Sequence, residues 1–119
     1  MKKYLLALDA GTTSARAILF DRAGCVIAMA NQAIRQIYPK SGWVEQDPMD
    51  IYAAEMAALT ECVAKSGIDP CEIAAAGITN QRETAVLWDR ETGIPVAPAI
   101  VWQCRRTADR CAELYAGGY

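Results

Sequence analysis

The stretch DAGTTS, which starts at Asp9, combines residue types that suit phosphate chemistry. Backbone amides around Gly11, Thr12 and Thr13 can form a concave anion site, and the Thr and Ser14 hydroxyls add further donors. Asp9 is suited to hold Mg²⁺ through water and so to bridge the metal to a phosphate. A polar hairpin turn would use the same residue types, so this stretch alone leaves both interpretations open.

Two later stretches suit a polyol. Arg82 and Glu83 stand side by side, two residues after the apolar segment IAAAGIT. Charges at the end of a core strand need partners, because burying them unpaired is costly. A guanidinium that donates beside a carboxylate that accepts matches hydroxyls, which do both. Trp102 offers an apolar wall for a carbon skeleton. A surface ion pair at Arg82 and Glu83, and plain core packing for Trp102, remain open alternatives.

The composition limits the classes of protein to be considered. The chain has 119 residues, 53% of them hydrophobic and 22% charged, with a net charge of −2 and no histidine. These values indicate a globular domain and give no sign of a nucleic-acid or polybasic membrane surface. Without histidine, a general base must be a carboxylate or lie outside this chain. The apolar run after the first lysines stops at Asp9, short of a signal peptide, so we expect a cytoplasmic protein.

The cysteine count is odd, and no CxxC pair occurs. Because the chain also lacks an export signal, we expect reduced thiols rather than disulfides or a zinc site. The simplest expectation is that each cysteine acts as a small buried apolar residue. The five are Cys25, Cys62, Cys71, Cys104 and Cys111.

The patterning of apolar residues predicts a mixed α/β order. Residues 4–9 read as a strand buried on both faces, and 14–21 and 25–38 read as two further strands that form an antiparallel meander with it. A helix is expected over about 48–66, with Asp47 as N-cap and Gly67 at its end.

The second half of the chain continues this order. Residues 73–79 are expected to be a strand parallel to the first, since a helical crossover precedes them. We predict a strand entering a turn over 83–93, a short extended piece over 96–102 and a helix over 103–118, with Cys104, Ala108, Cys111 and Leu114 or Tyr115 on one side.

Three quoted segments carry a family resemblance. ALDAGTTSARAILFD, IYPKSGWVEQDPMDIY and AAAGITNQRETAVLWDRETGIPVAPAIVWQCRRTA occur in that order and together cover nearly the whole chain. The chain resembles the N-terminal part of the glycerol kinase branch of the FGGY carbohydrate kinases, in the actin/hexokinase/Hsp70 superfamily. One departure is Ala10, where glycerol kinases typically have Gln. The resemblance implies a ribonuclease H-like fold, with residues 1–119 as an incomplete N-terminal part of the first domain.

The resemblance also implies a role for each candidate residue. Asp9 would organise Mg²⁺ and the transferring phosphate, and Arg16 matches a nucleotide-side arginine of the family. Arg82 and Glu83 match the pair that binds glycerol hydroxyls, with Trp102 as the wall beside it. The residues that would contact the ATP phosphates are Gly11, Thr12, Thr13 and Ser14.

The implied reaction is transfer of the γ-phosphoryl group of MgATP to a terminal hydroxyl of glycerol. In the family, the catalytic base and the adenine pocket lie downstream of these residues, so we expect the isolated segment to be inactive. We also expect exposed apolar surface to favour a homo-oligomer. Another FGGY kinase, acting on xylulose, gluconate or erythritol, and a non-catalytic nucleotide-binding module remain alternatives.

Overall fold

The computed structural model of the chain describes residues 3–119, and a four-stranded mixed sheet is its largest element. Two very short strands form a second sheet, and within the described range two α-helices and a 3₁₀ helix over Pro70–Glu72 complete the regular structure. In chain order the elements are β1 (Tyr4–Ala10), β2 (Ser14–Phe20), β3 (Val26–Ala33), β4 (Glu45–Gln46), α1 (Pro48–Ser66), β5 (Ile73–Thr79), β6 (Ala99–Ile100) and α2 (Ala108–Ala116).

The larger sheet confirms the predicted meander and crossover. Strands β1, β2 and β3 pair antiparallel in succession, and β5 lies parallel to β1, which gives the order β3-β2-β1-β5. In the register, Asp9 pairs with Arg16 on one side and with Thr79 on the other. Arg16 in turn pairs with Asn31. Directly paired side chains lie on the same face of a sheet, so this row makes Asp9 and Arg16 neighbours.

Helix α1 has the predicted bounds and covers one face of the larger sheet. Asp47 caps it, accepting a hydrogen bond of 2.8 Å from the backbone N–H of Met49. Gly67 ends it in the left-handed conformation at a φ of 66°. Small side chains on the inner face let the helix lie close to the strands, where Ala58 and Cys62 join the main core cluster. The buried residues of the helix are Ala54, Ala58 and Cys62.

The opposite face of the larger sheet carries no helix among residues 3–119. Leu5 in β1 is 51% exposed and Met29 in β3 is 48% exposed on that face. The prediction that the first strand is buried on both faces is therefore wrong for the described residues, because α1 covers only one of them. The described part of the chain has no helix long and apolar enough to cross a membrane.

The cysteines correct a second expectation. All five are free thiols, as predicted, but they are not all buried. Cys62 is buried under α1 and Cys104 is partly buried, whereas Cys25, Cys71 and Cys111 are exposed. Cys25 and Cys71 lie in the connections that lead into β3 and β5, where no described element covers them.

Two predicted strands have different bounds in the structure. β3 ends at Ala33 rather than continuing to residue 38, because its partner β2 begins at the opposite residue, Ser14. The segment 83–93 forms only the isolated bridges of Ala85 and Trp88. Its turn is confirmed, with Gly93 at a φ of 71°.

Helix α2 starts at Ala108 rather than at residue 103. The backbone N–H of Cys104 donates to Val101, and that of Arg105 donates to Gly42 at 2.7 Å. These hydrogen bonds hold residues 104 and 105 against the loop before β4, so the helix begins only after them. Cys104 therefore does not belong to the helix, and Cys111 lies on its exposed surface.

Candidate functional site

A cavity of about 320 Å³ lies between the β1–β2 turn and the segments that follow β5 and β6. Its volume is at the lower end of the usual range for small-molecule sites, roughly 300–1,000 Å³. It brings together five of the residues that the sequence singled out, from positions up to 91 residues apart. The lining residues are Gly11, Thr12, Asn80, Gln81, Arg82, Glu83 and Trp102.

The β1–β2 turn requires glycine at position 11. The backbone N–H of Gly11 donates to the carbonyl of Ser14 at 3.1 Å. A Cβ at position 11 would lie only 2.8 Å from that same oxygen, a distance that real Cβ atoms essentially never show. The reason for glycine is thus close approach within the turn. Because the amide of Gly11 is already used, donors for a bound anion must come from Thr12 and the residues after it.

Arg82 and Glu83 lie at the cavity with no protein partner. Within residues 3–119, neither side chain forms an ion pair or a hydrogen bond, so they are not the surface ion pair that the sequence left open. Among residues 3–119, Glu83 is the only residue other than glycine with a positive φ, and its φ is 63°. Such a conformation is strained for a residue with a Cβ, and strained residues cluster at functional sites. Both charged groups are therefore available to a ligand.

Trp102 forms one wall of the cavity instead of packing in the core. Its side chain is 51% exposed, and its indole Nε1–H donates to the hydroxyl of Thr12 at 2.9 Å. This hydrogen bond fixes the orientation of the ring relative to the β1–β2 turn. The wall predicted for a carbon skeleton and the loop predicted for phosphate are therefore in direct contact.

Asp9 and Arg16 do not line this cavity. They lie side by side on the open face of the larger sheet, where Arg16 Nε donates to Asn31 at 2.8 Å. A third charged residue, Glu55 of α1, has both carboxylate oxygens buried without a hydrogen-bond partner in the described structure. Burial raises the pKa of Glu55, and the negative charge of Asp9 raises it further. Within residues 3–119, no group of three or more metal-ligating side chains forms.

Sequence reasoning missed the polar side chains that support the cavity. Gln46 of β4 is fully buried, and its Nε2 donates to the backbone carbonyl of Thr12 at 2.6 Å. Gln81 donates to the carbonyl of Gly11 at 3.0 Å. No local signal marks them, because both glutamines stand among other polar residues, in VEQDP and TNQRET. Only the fold buries these amides, and a buried amide must find partners for both ends.

A second supporting cluster lies under the small sheet. Arg106 donates to Glu45 at 2.6 Å, and its guanidinium carbon lies 3.9 Å from the centroid of the Trp43 ring. Arg106 Nε also donates to the Cys104 sulfur at 3.0 Å. Burial raises the pKa of the Cys104 thiol, but hydrogen bonds from Arg106 and from the backbone outweigh it, so its pKa lies below the ordinary value. These contacts hold the segment after Trp102 against β4.

Comparison with known proteins identifies what the chain is similar to. A family model described as the N-terminal domain of the FGGY family of carbohydrate kinases matches residues 4–119. A protein of Thermoanaerobacter pseudethanolicus named glycerol kinase is 57% identical over 119 residues, which is 100% of this chain and 24% of that protein. The chain therefore spans about a quarter of the length of the relatives that it matches.

Solved structures give the same family. A crystal structure of xylulose kinase from Rhodospirillum rubrum matches with a TM-score of 0.87 and 30% identity, over 97% of this chain and 23% of that one. Plasmodium falciparum glycerol kinase, solved with ADP, matches with a TM-score of 0.83 and 30% identity, over 95% of this chain and 23% of that one. These neighbours confirm the predicted mixed α/β architecture, the ribonuclease H-like fold of such kinases.

Proposed function

The chain belongs to the FGGY family of carbohydrate kinases, and we propose that the complete protein transfers the γ-phosphoryl group of MgATP to glycerol. In this proposal, residues 1–119 form the N-terminal part of the first of two domains. The relatives named glycerol kinase support glycerol as the substrate, at 57% identity for the one described above.

The observation that carries the proposal is the position of the Arg82 and Glu83 side chains at the cavity. Both charged groups line the cavity without partners among residues 3–119, next to the exposed ring of Trp102. Glycerol has hydroxyls that donate and accept and a short carbon skeleton, so it matches a guanidinium, a carboxylate and an aromatic face. Glu83 would contribute the carboxylate that accepts hydrogen bonds from the hydroxyls.

The β1–β2 turn would receive the phosphates. In this assignment, Thr12, Thr13 and Ser14 contact the ATP phosphates, and Arg16 lies on the nucleotide side. Thr12 would contact both the phosphate side and the polyol side of the site, because it lines the cavity and accepts the hydrogen bond from Trp102. Phosphoryl transfer depends mainly on positioning and charge neutralisation, and this contact sets the distance between the two substrates.

Asp9 fits the role of a Mg²⁺ residue through water. Within residues 3–119, Asp9 does not belong to a group of three or more metal-ligating side chains. This suits Mg²⁺, which usually keeps several waters and takes other ligands from phosphate. The metal would supply neutralisation of the charge on the transferring phosphoryl group. Asp9, near the end of β1 and beside the turn, would hold the hydrated metal next to the transferring phosphoryl group.

A second candidate function is the phosphorylation of another polyol or sugar, such as xylulose, gluconate or erythritol. The observation that favours it is the TM-score of 0.87 to the xylulose kinase structure. Ala10 also stands where glycerol kinases typically have Gln. The relative named glycerol kinase, which is 57% identical over the whole chain, favours glycerol.

The experiment is a substrate panel on the complete protein. ADP formation is measured with MgATP and each of glycerol, xylulose, gluconate and erythritol, and the product is identified by ³¹P NMR. We expect glycerol to give the highest kcat/KM and glycerol 3-phosphate as product. A higher kcat/KM for one of the sugars would establish the second candidate instead, and ATP binding without turnover on any of them would indicate a non-catalytic module.

A further inference from the structure

A closed ring of hydrogen bonds lies behind the cavity and joins the β1–β2 turn to Trp102. Gln46 Nε2 donates to the backbone carbonyl of Thr12 at 2.6 Å, and Gln46 Oε1 accepts from Gln81 Nε2 at 2.7 Å. Gln81 Oε1 accepts from the hydroxyl of Thr84 at 3.0 Å. The same hydroxyl accepts from the backbone N–H of Trp102 at 3.3 Å. The indole of Trp102 closes the ring on the Thr12 hydroxyl at 2.9 Å.

The acceptors in the ring determine the orientation of both amides. The backbone carbonyls of Gly11 and Thr12 can only accept, so the side-chain nitrogens of Gln81 and Gln46 must face them. Gln81 uses its two N–H groups on Gly11 and Gln46. Gln46 is fully buried. A buried polar network with both ends satisfied is rigid, because each member loses a partner if another one moves.

Gln36 provides a comparison within the same structure. Its Nε2 also donates to the Thr12 carbonyl, at the same distance of 2.6 Å as that of Gln46. Its Oε1 is buried with no partner in the part of the chain that the structure describes, so Gln36 is not connected to Gln81 or to Trp102. Two amides therefore hold the same carbonyl, but only Gln46 belongs to the ring.

We propose that Gln46, Gln81 and Thr84 are positioning residues that fix the distance between the phosphate-side turn and the Trp102 wall. They connect four segments that are far apart in the chain, and the two ends of the ring, at Thr12 and Trp102, both line the cavity. The inference rests on the proposed function, because it assigns the polyol to one end and the phosphate to the other.

The kinetic consequence follows from what the ring holds. None of the three ring residues Gln46, Gln81 and Thr84 is assigned to substrate binding. Thr12 and Trp102 keep their side chains when the ring is opened, so the binding of each substrate should remain nearly intact. The ring does set the separation of the two reacting groups, and a misplacement of about 1 Å can reduce the rate of a reaction by as much as about a hundredfold. The effect should therefore fall on kcat and not on either KM.

The experiment compares three single substitutions in the complete protein. Gln46→Met and Gln36→Met each remove one of the two donors to Thr12, but only the first opens the ring. We expect Gln46→Met to lower kcat about tenfold with both KM values unchanged, and Gln36→Met to leave kcat within about twofold of the parent. Equal kcat values for the two variants would overturn the proposal. Since Gln46 is fully buried, Gln81→Met opens the same ring at a partly exposed side chain and should give the same loss.

A double-mutant cycle separates a ring from independent local effects. Thr84→Val opens the ring on the far side from Gln46, and we expect it alone to lower kcat about tenfold. If the ring acts as a unit, Gln46→Met combined with Thr84→Val should cost no more than either alone. A combined loss of about a hundredfold, which is the product of the two, would contradict the proposal.

The outcome is independent of which substrate the enzyme prefers. If the substrate panel shows that the protein phosphorylates a sugar and not glycerol, the proposed function fails, and the same variants are measured with that sugar. The ring proposal then still predicts a loss in kcat with an unchanged KM. It fails if Gln46→Met and Gln36→Met behave alike on the substrate that is turned over, or if the double variant shows the product of the two single losses.

Discussion

Glu83 allows its carboxylate and its backbone conformation to be tested separately. In the complete protein, Glu83→Ala removes the carboxylate but keeps a Cβ in the left-handed region, at a φ of 63°. Glu83→Gly removes the carboxylate and also the steric conflict. The two variants should therefore lose glycerol binding equally and differ in stability.

The magnitudes follow from the contacts. A hydrogen bond to a charged group is worth about 1.5–3 kcal/mol, so either variant should raise the KM for glycerol roughly ten- to a hundredfold. A left-handed residue with a Cβ costs about 1–2 kcal/mol. Glycine also lowers the stability by about 0.4–1 kcal/mol relative to alanine, because it increases the conformational entropy of the unfolded chain. The difference between the midpoints of these two ranges predicts that Glu83→Gly is more stable than Glu83→Ala by about 0.8 kcal/mol.

The assay is steady-state ADP release at varied glycerol, with a thermal unfolding scan of each variant. Glu91→Ala is the matched control, because Glu91 is an exposed acid in the turn before Gly93 and does not line the cavity. Its KM for glycerol should equal that of the parent. A normal glycerol KM for Glu83→Ala would refute the assignment of Glu83 to the substrate. Equal stability of the two variants would refute the argument from strain.

Two further predictions concern charged groups outside the cavity, and a third concerns residues 1–119 alone. Asp9→Asn should lower kcat about a hundredfold with little change in nucleotide affinity, measured by titration, and an unchanged kcat with Mg²⁺ present would remove Asp9 from the mechanism. Burial raises the pKa of Glu55 above 4.5, so its contribution to stability is present below that pH and is lost as the pH rises through the raised pKa. Glu55→Gln should therefore unfold at a higher temperature than the parent at pH 7 and at nearly the same temperature at pH 4; the reverse order would contradict this. Residues 1–119 alone should release no glycerol-dependent ADP, since no residue among them matches the family's catalytic base, and turnover by that segment would contradict the resemblance.

The elements predicted well are those that local signals determine. Asp47, Pro48 and Gly67 fix the ends of α1 through capping and turn conformation. The crossover rule gave the parallel pairing of β5 with β1. The errors arose where distant residues decide the structure. β3 stops where its partner β2 begins, and α2 starts late because Gly42 binds the backbone of Arg105.

The candidate site shows the same division. Arg82, Glu83, Thr12 and Trp102 could be proposed from residue types and from resemblance, and the structure places them around one cavity. The supporting amide of Gln46 could not be found in this way, because its partners are 34 and 35 residues away in the chain. The exposure of three cysteines was also missed, since thiol burial depends on which elements pack over a loop.

A crystal structure of the complete protein with glycerol and a non-hydrolysable ATP analogue tests the central claim most directly. The account predicts glycerol hydroxyls within hydrogen-bonding distance, about 2.6–3.2 Å, of both Arg82 and Glu83, with the carbon skeleton against Trp102. It also predicts the terminal phosphate at the β1–β2 turn beside Thr12. Glycerol bound elsewhere, or Arg82 and Glu83 paired with protein groups in the complete structure, would contradict it.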